Sequence, residues 1–207
     1  MIRIIKHLSK DLILGIWEID ENIEKLKNEL TEAELAQSKN FHPHKFAEFV
    51  TSRLLIKAMC LQAGIPYKGL IKDEHGKPFF IDSSFHLSIS HSYPMVAGLI
   101  HKSKPCGIDI ELPREQLLRV KGKFLNPKEL EMCADDLEKL CLYWSAKEAI
   151  YKIYGRKNLS FAANIAIATV DDEVMTTQVK VGDEVKTIGL FFEKMERYLL
   201  VYGYGIL

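Results

Sequence analysis

The run CGIDIE, residues 106–111, sets Asp109 and Glu111 two places apart in an otherwise apolar stretch. Successive side chains of a strand point to opposite faces, so these two carboxylates share one face and Ile108 and Ile110 the other. Like charges this close repel, and burying either without a partner is costly. Either both point into water at a strand end, or something positive sits between them. A second stretch, WSAKEAIYK at 144–152, adds a third carboxylate. On a helix, Leu137, Leu140, Cys141 and Trp144 form an apolar stripe, because residues three and four apart share a face. Four residues further along that stripe is Glu148, and four further still is Lys152. Alone, this pair is a surface i,i+4 ion pair of roughly a few tenths of a kcal/mol. Together with the strand, three carboxylates make a hard oxygen-donor set of the kind Mg²⁺ prefers, a cation that keeps waters for a phosphate substrate. The positive group expected beside Asp109 and Glu111 is then a metal ion.

These residues need a strand and a helix to position them, and the pattern on either side supplies both. Ile2–Lys6 and Leu12–Ile19 have the β-branched and apolar content of strands. Thr31 precedes Glu34 by three, a capping-box spacing that opens a short helix. Phe46, Phe49, Val50, Leu54, Ala58 and Leu61 predict a helix from Pro43 to Ala63, which Gly64 stops. DEHGKP, 73–78, is a turn, and Phe85–Ser90, Met95–His101 and Cys106–Glu111 read as strands. Asn126-Pro127 starts a helix, Asp135 or Asp136 starts another, and Gly155 closes it. Strands then follow near Asn164–Val170, Thr177–Val181, Thr187–Glu193 and Tyr198–Tyr204, with turns at 171–173 and 182–184. The order of elements predicts an α+β protein of two similar lobes, 1–103 and 104–207, each a small antiparallel sheet with packed helices. A pseudo-twofold relation between them rests on element order alone, since the halves show no sequence repeat.

With 28 basic and 28 acidic residues the chain is formally neutral, which argues against sequence-independent nucleic-acid binding. Cys60, Cys106, Cys133 and Cys141 form no C-x-x-C pair and sit in apolar contexts. They read as reduced core thiols of a cytoplasmic protein rather than a zinc site or a disulfide framework. No apolar run approaches the roughly 20 residues of a membrane span, and the N-terminus lacks the uninterrupted core and cleavage site of a signal peptide.

The pairing of Gly107-Ile108-Asp109-Ile110-Glu111 with Trp144, Ser145, Lys147, Glu148, Ala149 and Lys152 resembles the two-part signature of the 4′-phosphopantetheinyl transferases. It is closest in pattern to the surfactin-type branch, which is monomeric and two-lobed. Gly76-Lys77-Pro78 and SISHS, 88–92, also fit that family, with Ser88 where asparagine is common. Arg53 is the best match to an arginine of the first-lobe helix. The resemblance spans roughly residues 45–155. It implies Mg²⁺-dependent transfer of the phosphopantetheine arm of coenzyme A to a serine of an apo acyl or peptidyl carrier protein, releasing 3′,5′-adenosine bisphosphate. Asp109, Glu111 and Glu148 would hold the metal. Glu148 would be the general base, and Lys152 would meet charge on the α-phosphate or protonate the leaving oxygen. Lys77 would reach the diphosphate or adenine, Ser90 and His91 the phosphate, and Arg53 the 3′-phosphate through its planar fork.

The stretch LPREQLLRVKGKFLNPK, 112–128, offers Arg114, Arg119, Lys121, Lys123 and Lys128 with Leu117, Leu118 and Phe124. It is the expected docking segment for an acidic carrier protein, against the alternative of a solvated basic loop. His42-Pro-His44 lacks a third ligand for a metal, and 121–123 lacks the glycine-rich frame of a phosphate loop. Two other functions fit the composition. One is a coenzyme A-binding module without turnover, which would have no use for a base. The other is a different Mg²⁺-dependent phosphate-transfer enzyme, which would be expected to carry a P-loop or denser acidic clusters.

Overall fold

The computed structural model of the protein describes residues 1–19, 23–155 and 158–207. The elements run β1 (Ile2–His7), β2 (Leu12–Glu18), α1 (Ile23–Leu26), α2 (Glu32–Ser38), α3 (Pro43–Ala63), β3 (Leu70–Lys72), β4 (Pro78–Phe80), β5 (His86–Ser92) and β6 (Met95–His101). They continue as β7 (Cys106–Glu111), α4 (Gln116–Phe124), α5 (Pro127–Cys133), α6 (Leu137–Tyr154), α7 (Phe161–Asn164), β8 (Ile165–Asp171), β9 (Val174–Val181), β10 (Glu184–Met195) and β11 (Tyr198–Tyr204). The chain forms two compact units, Met1–Ser103 and Lys104–Leu207. The architecture is α+β, with antiparallel sheets and helices packed on them.

In the first unit the sheet order is β1-β2-β6-β5, and β3 pairs with β4 in a separate two-stranded ribbon. All these pairs are antiparallel. Helix α3 supplies Val50, Leu54, Leu55 and Met59 to a core shared with Ile13, Val96 and Ile100 of the sheet. Thr31 caps α2: its hydroxyl accepts from Glu34 N, and the Glu34 carboxylate accepts from Thr31 N. Gly64 ends α3 in the left-handed conformation, φ 66°, where glycine has no Cβ penalty.

In the second unit the order is β7-β11-β10-β9-β8. Helix α6 lies on it and contributes Leu140, Cys141, Ala149, Ile150 and Ile153 to a core with Met175, Leu190, Leu199 and Val201. The Asp136 carboxylate caps α6 by accepting from Glu138 N and Lys139 N. Asn126 and Glu129 form a second capping box at α5. All four cysteines are buried free thiols. Among the described residues no helix is long and apolar enough to cross a membrane.

Two features depart from the sequence reading. Residues 116–124 form a helix, with Leu117 and Phe124 turned into the core, within the segment the sequence marks as a basic docking stretch or a solvated basic loop. The turn at 73–78 closes a small hairpin of two three-residue strands, β3 and β4.

Candidate functional site

In the second unit, Asp109 and Glu111 lie opposite Val201 and Leu199 of β11 in the antiparallel register. Directly opposed residues share a sheet face. Since Leu199 and Val201 belong to the core under α6, the two carboxylates face that helix, as do their face-mates by period two. The next residue back on this face is Gly107, and a Cβ there would fall onto the Ala149 carbonyl oxygen. The bare glycine therefore lets α6 press against β7 at Ala149, the residue after Glu148 and three before Lys152.

Lys152 uses that proximity. Its Nζ donates to Asp109 Oδ1 and to the Ile108 carbonyl, each at 2.8 Å. Glu148 is largely withdrawn from water, and burial pushes its carboxyl above the ordinary range. Lys152 opposes this shift, while Asp109 and Glu111 add to it. The three carboxylates are thus close enough to feel one another. Glu111 accepts a hydrogen bond from Leu112 N at 2.9 Å and stands 3.8 Å from Arg114 Nη2. Among the described residues no three His, Cys, Asp or Glu side chains converge as closely as a metal ion requires. In this arrangement cationic side chains provide the compensating charge: Lys152 beside Asp109, and Arg114 beside Glu111.

A groove of about 510 Å³ opens from Glu111 along α4, lined by Arg114, Leu117, Val120, Phe124 and Trp144 among others. Lys147, a motif residue with no role assigned in the sequence reading, is wholly buried. Its Nζ donates to Glu129 Oε2 at 2.6 Å, Ile165 O at 2.7 Å and Phe161 O at 3.0 Å. All three ammonium donors are used. Glu129 Oε1 in turn accepts from Ile167 N at 2.9 Å. This buried pair ties α6 to α5, α7 and β8, and so fixes the segment that carries Glu148.

In the first unit a cavity of about 190 Å³ gathers Lys45, Glu48, Arg53, Lys72 and His91. Arg53 and His91, chosen from separate sequence motifs, meet here. Gly76 and Pro78 also line the cavity, so Lys77 sits between two lining residues, and its charge helps push the His86 pKa down, after burial. Asp73 Oδ1 holds this turn by accepting from His75 N and Lys77 N. Ser90 is not brought to the cavity wall: it is buried, and strand alternation turns it to the face of β5 opposite His91. His91 Nδ1 stands 3.3 Å from Glu48 Oε1, and His44 Nδ1 stands 3.7 Å from the same oxygen. Lys45, Glu48 and Lys72 were missed from the sequence. For the first two the signal was present, because residues 45, 48, 49, 52 and 53 lie on one helical face.

No curated protein matches the chain. Residues 105–201 match the family model of the 4′-phosphopantetheinyl transferase superfamily; the part of the chain that carries Asp109, Glu111, Glu148 and Lys152 is similar to that superfamily, and the match supports phosphopantetheinyl transfer as its chemistry.

Proposed function

We propose that the protein transfers the 4′-phosphopantetheine arm of coenzyme A to a serine of an apo acyl or peptidyl carrier protein, in the manner of the surfactin-type branch. The observation that carries this reading is the grouping of Asp109, Glu111, Glu148 and Lys152 where α6 meets β7, inside the stretch that matches the superfamily. The serine oxygen attacks the phosphorus that bears the pantetheine arm. The bond from that phosphorus to the bridging oxygen breaks, and 3′,5′-adenosine bisphosphate leaves with the electron pair. Glu148 takes the serine proton, a role that suits a carboxyl raised by burial. Lys152, one turn along the helix, meets the charge on the departing oxygen or protonates it.

Asp109, Glu111 and Glu148 are hard oxygen donors of the kind Mg²⁺ prefers; they would hold it only after drawing closer together than they stand here, and a divalent cation would relieve their mutual repulsion. When bound, the cation supplies positive charge to the diphosphate and its leaving oxygen. In the first unit the cations around the small cavity suit the nucleotide end of coenzyme A. Arg53 would serve the 3′-phosphate and His91 a phosphate oxygen, with Lys45 and Lys72 adding charge. Lys77 borders that cavity and would reach the diphosphate or adenine. Docking of an acidic carrier belongs to α4 and its flanks, where Arg114, Arg119, Lys123 and Lys128 are exposed. We propose that the chain works as a cytoplasmic monomer.

The test is intact-protein mass spectrometry of several apo carrier proteins incubated with the protein, coenzyme A and Mg²⁺, with a chelator control. Gain of one phosphopantetheine arm only when metal is present is the expected result. Coenzyme A binding with no transfer to any carrier would overturn the reading in favour of a binding module.

A further inference from the structure

Arg53, on the wall of the cavity in the first unit, is only 3% exposed. Its Nε and Nη2 have no hydrogen-bond partner among the described residues. Unsatisfied donors of a buried cation are costly, so something else must hold the charge in place. Two groups do. The guanidinium carbon lies 4.4 Å from the Phe49 ring centroid, a cation–π contact. The Glu34 carboxylate, itself 2% exposed, brings Oε1 to 3.8 Å from Arg53 Nε.

That distance lies outside hydrogen-bond range, and the surroundings of Glu34 explain it. Tyr67 Oη donates to the same Oε1 at 2.5 Å. Oε2 accepts from Thr31 N and from Thr31 Oγ1, both at 3.0 Å. The capping box of α2 and the Tyr67 hydroxyl thus pin both oxygens, and the carboxylate is held short of Arg53. It supplies Coulomb attraction without using Nε or Nη2, which stay buried and unpartnered among the described residues, just behind the wall of a cavity that also presents Lys45, Lys72 and His91.

We propose that Glu34, held back by Tyr67, is the resting counter-charge of Arg53: it keeps the guanidinium buried in the free protein while leaving its donors for an incoming phosphate. The inference rests on the reading that this cavity takes the 3′-phosphate of coenzyme A. Glu34 and Tyr67 are positioning residues in this scheme, and they act on the ligand in opposite directions. Glu34→Gln keeps the capping box, because glutamine serves at that position, but removes a negative charge that competes with the ligand. The free protein becomes less stable and 3′,5′-adenosine bisphosphate binds tighter, by about five-fold for one unit charge acting across several ångströms of partly solvated protein. Tyr67→Phe frees Oε1 to close on Arg53 Nε and occupy a donor, so the same ligand binds about three-fold more weakly. A pair with a merely structural role would not tighten binding when broken.

The experiment is calorimetric titration of the 207-residue chain and its variants with 3′,5′-adenosine bisphosphate and with adenosine 5′-monophosphate, which lacks the 3′-phosphate. Opposite shifts for Glu34→Gln and Tyr67→Phe, confined to the bisphosphate, are expected. Shifts in the same direction, or equal shifts for both ligands, overturn the inference. Should Glu34→Gln fail to fold, Tyr67→Phe alone decides, and unchanged or tighter bisphosphate binding overturns it. Arg53→Met separates this inference from the reading beneath it. If that variant leaves bisphosphate affinity unchanged, the cavity is not the phosphate site and both fall. If it weakens binding while the other two variants do not diverge, only the role of Glu34 and Tyr67 falls.

Discussion

Glu148 answers to three charged neighbours, two of its own sign and one opposite. Asp109 and Glu111 make its charge harder to carry, and Lys152 makes it easier. The amide variant Glu148→Gln keeps the shape and removes both the charge and the capacity to accept a proton. It is expected to reduce transfer by 100-fold or more, about the size of a lost general base, with coenzyme A affinity changed far less; a steady-state assay paired with calorimetry checks this. Lys147 and Glu129, by contrast, define a structural test. They are 0% and 2% exposed and 2.6 Å apart. Lys147→Met leaves Glu129 as an uncompensated buried charge, at a cost of about 3–5 kcal/mol, measured as a drop in the urea midpoint. Burial pulls the Lys147 pKa down and Glu129 pulls it back, so the pair depends on its own contact. From the sequence, the carboxylates of β7 and α6 were legible because local periodicity alone puts them on shared faces. The partner of Lys147 was not, because Glu129 is 18 residues away and the pairing exists only once α5 and α6 have packed. Ser90 shows the limit of a motif read as a unit: it neighbours His91 in sequence, and strand alternation puts the two on opposite faces of β5.

Element scale is where Gly107 acts. Its missing Cβ is what allows the Ala149 carbonyl to approach β7, and backbone cannot yield as a flexible side chain would. Gly107→Ala should therefore push α6 away from the strand, costing about 1–3 kcal/mol as overpacking does. Lys152 would move away from Asp109 and Glu148 from both strand carboxylates, so transfer should fall by more than the loss of folded protein explains. Activity per folded molecule, with the folded fraction read from circular dichroism at the assay temperature, distinguishes the two; activity that merely tracks the folded fraction would refute the positioning argument. Elements with strong end signals were legible in the sequence. The Thr31–Glu34 box, Pro43 with Gly64, and Asn126 before Pro127 each name a helix end. Helix α4 lacks such signals. Glu115 makes no side-chain cap, and Gly122 interrupts its last turn. Only the spacing of Leu117, Val120 and Phe124 marks it as helical. Strands β3 and β4 are three residues each, too short for alternation to register.

At the scale of the whole molecule, a formal charge of zero, from 28 basic and 28 acidic residues, means that the attraction to an acidic carrier proposed above would have to come from a local patch. Folding of 116–124 as a helix sharpens which residues can provide it. Leu117 and Phe124 are committed to the core, and Lys121 is committed to the Ala134 carbonyl and Asp135, at 3.0 and 2.7 Å. The exposed cations that remain in 112–128 are Arg114, Arg119, Lys123 and Lys128, and Arg114 already leans toward Glu111. Arg119 and Lys128 are therefore the cleanest probes, because they are exposed and neither lines the groove. Arg119→Glu with Lys128→Glu should raise KM for the carrier about ten-fold at low ionic strength and leave KM for coenzyme A unchanged, because charge complementarity at a rim acts mainly through encounter. The difference from wild type should shrink as salt rises and the Debye length falls below the span of the patch. A change in kcat with KM for the carrier untouched, or a defect indifferent to salt, would mean that the carrier docks elsewhere and that the charge of α4 serves only to solvate it.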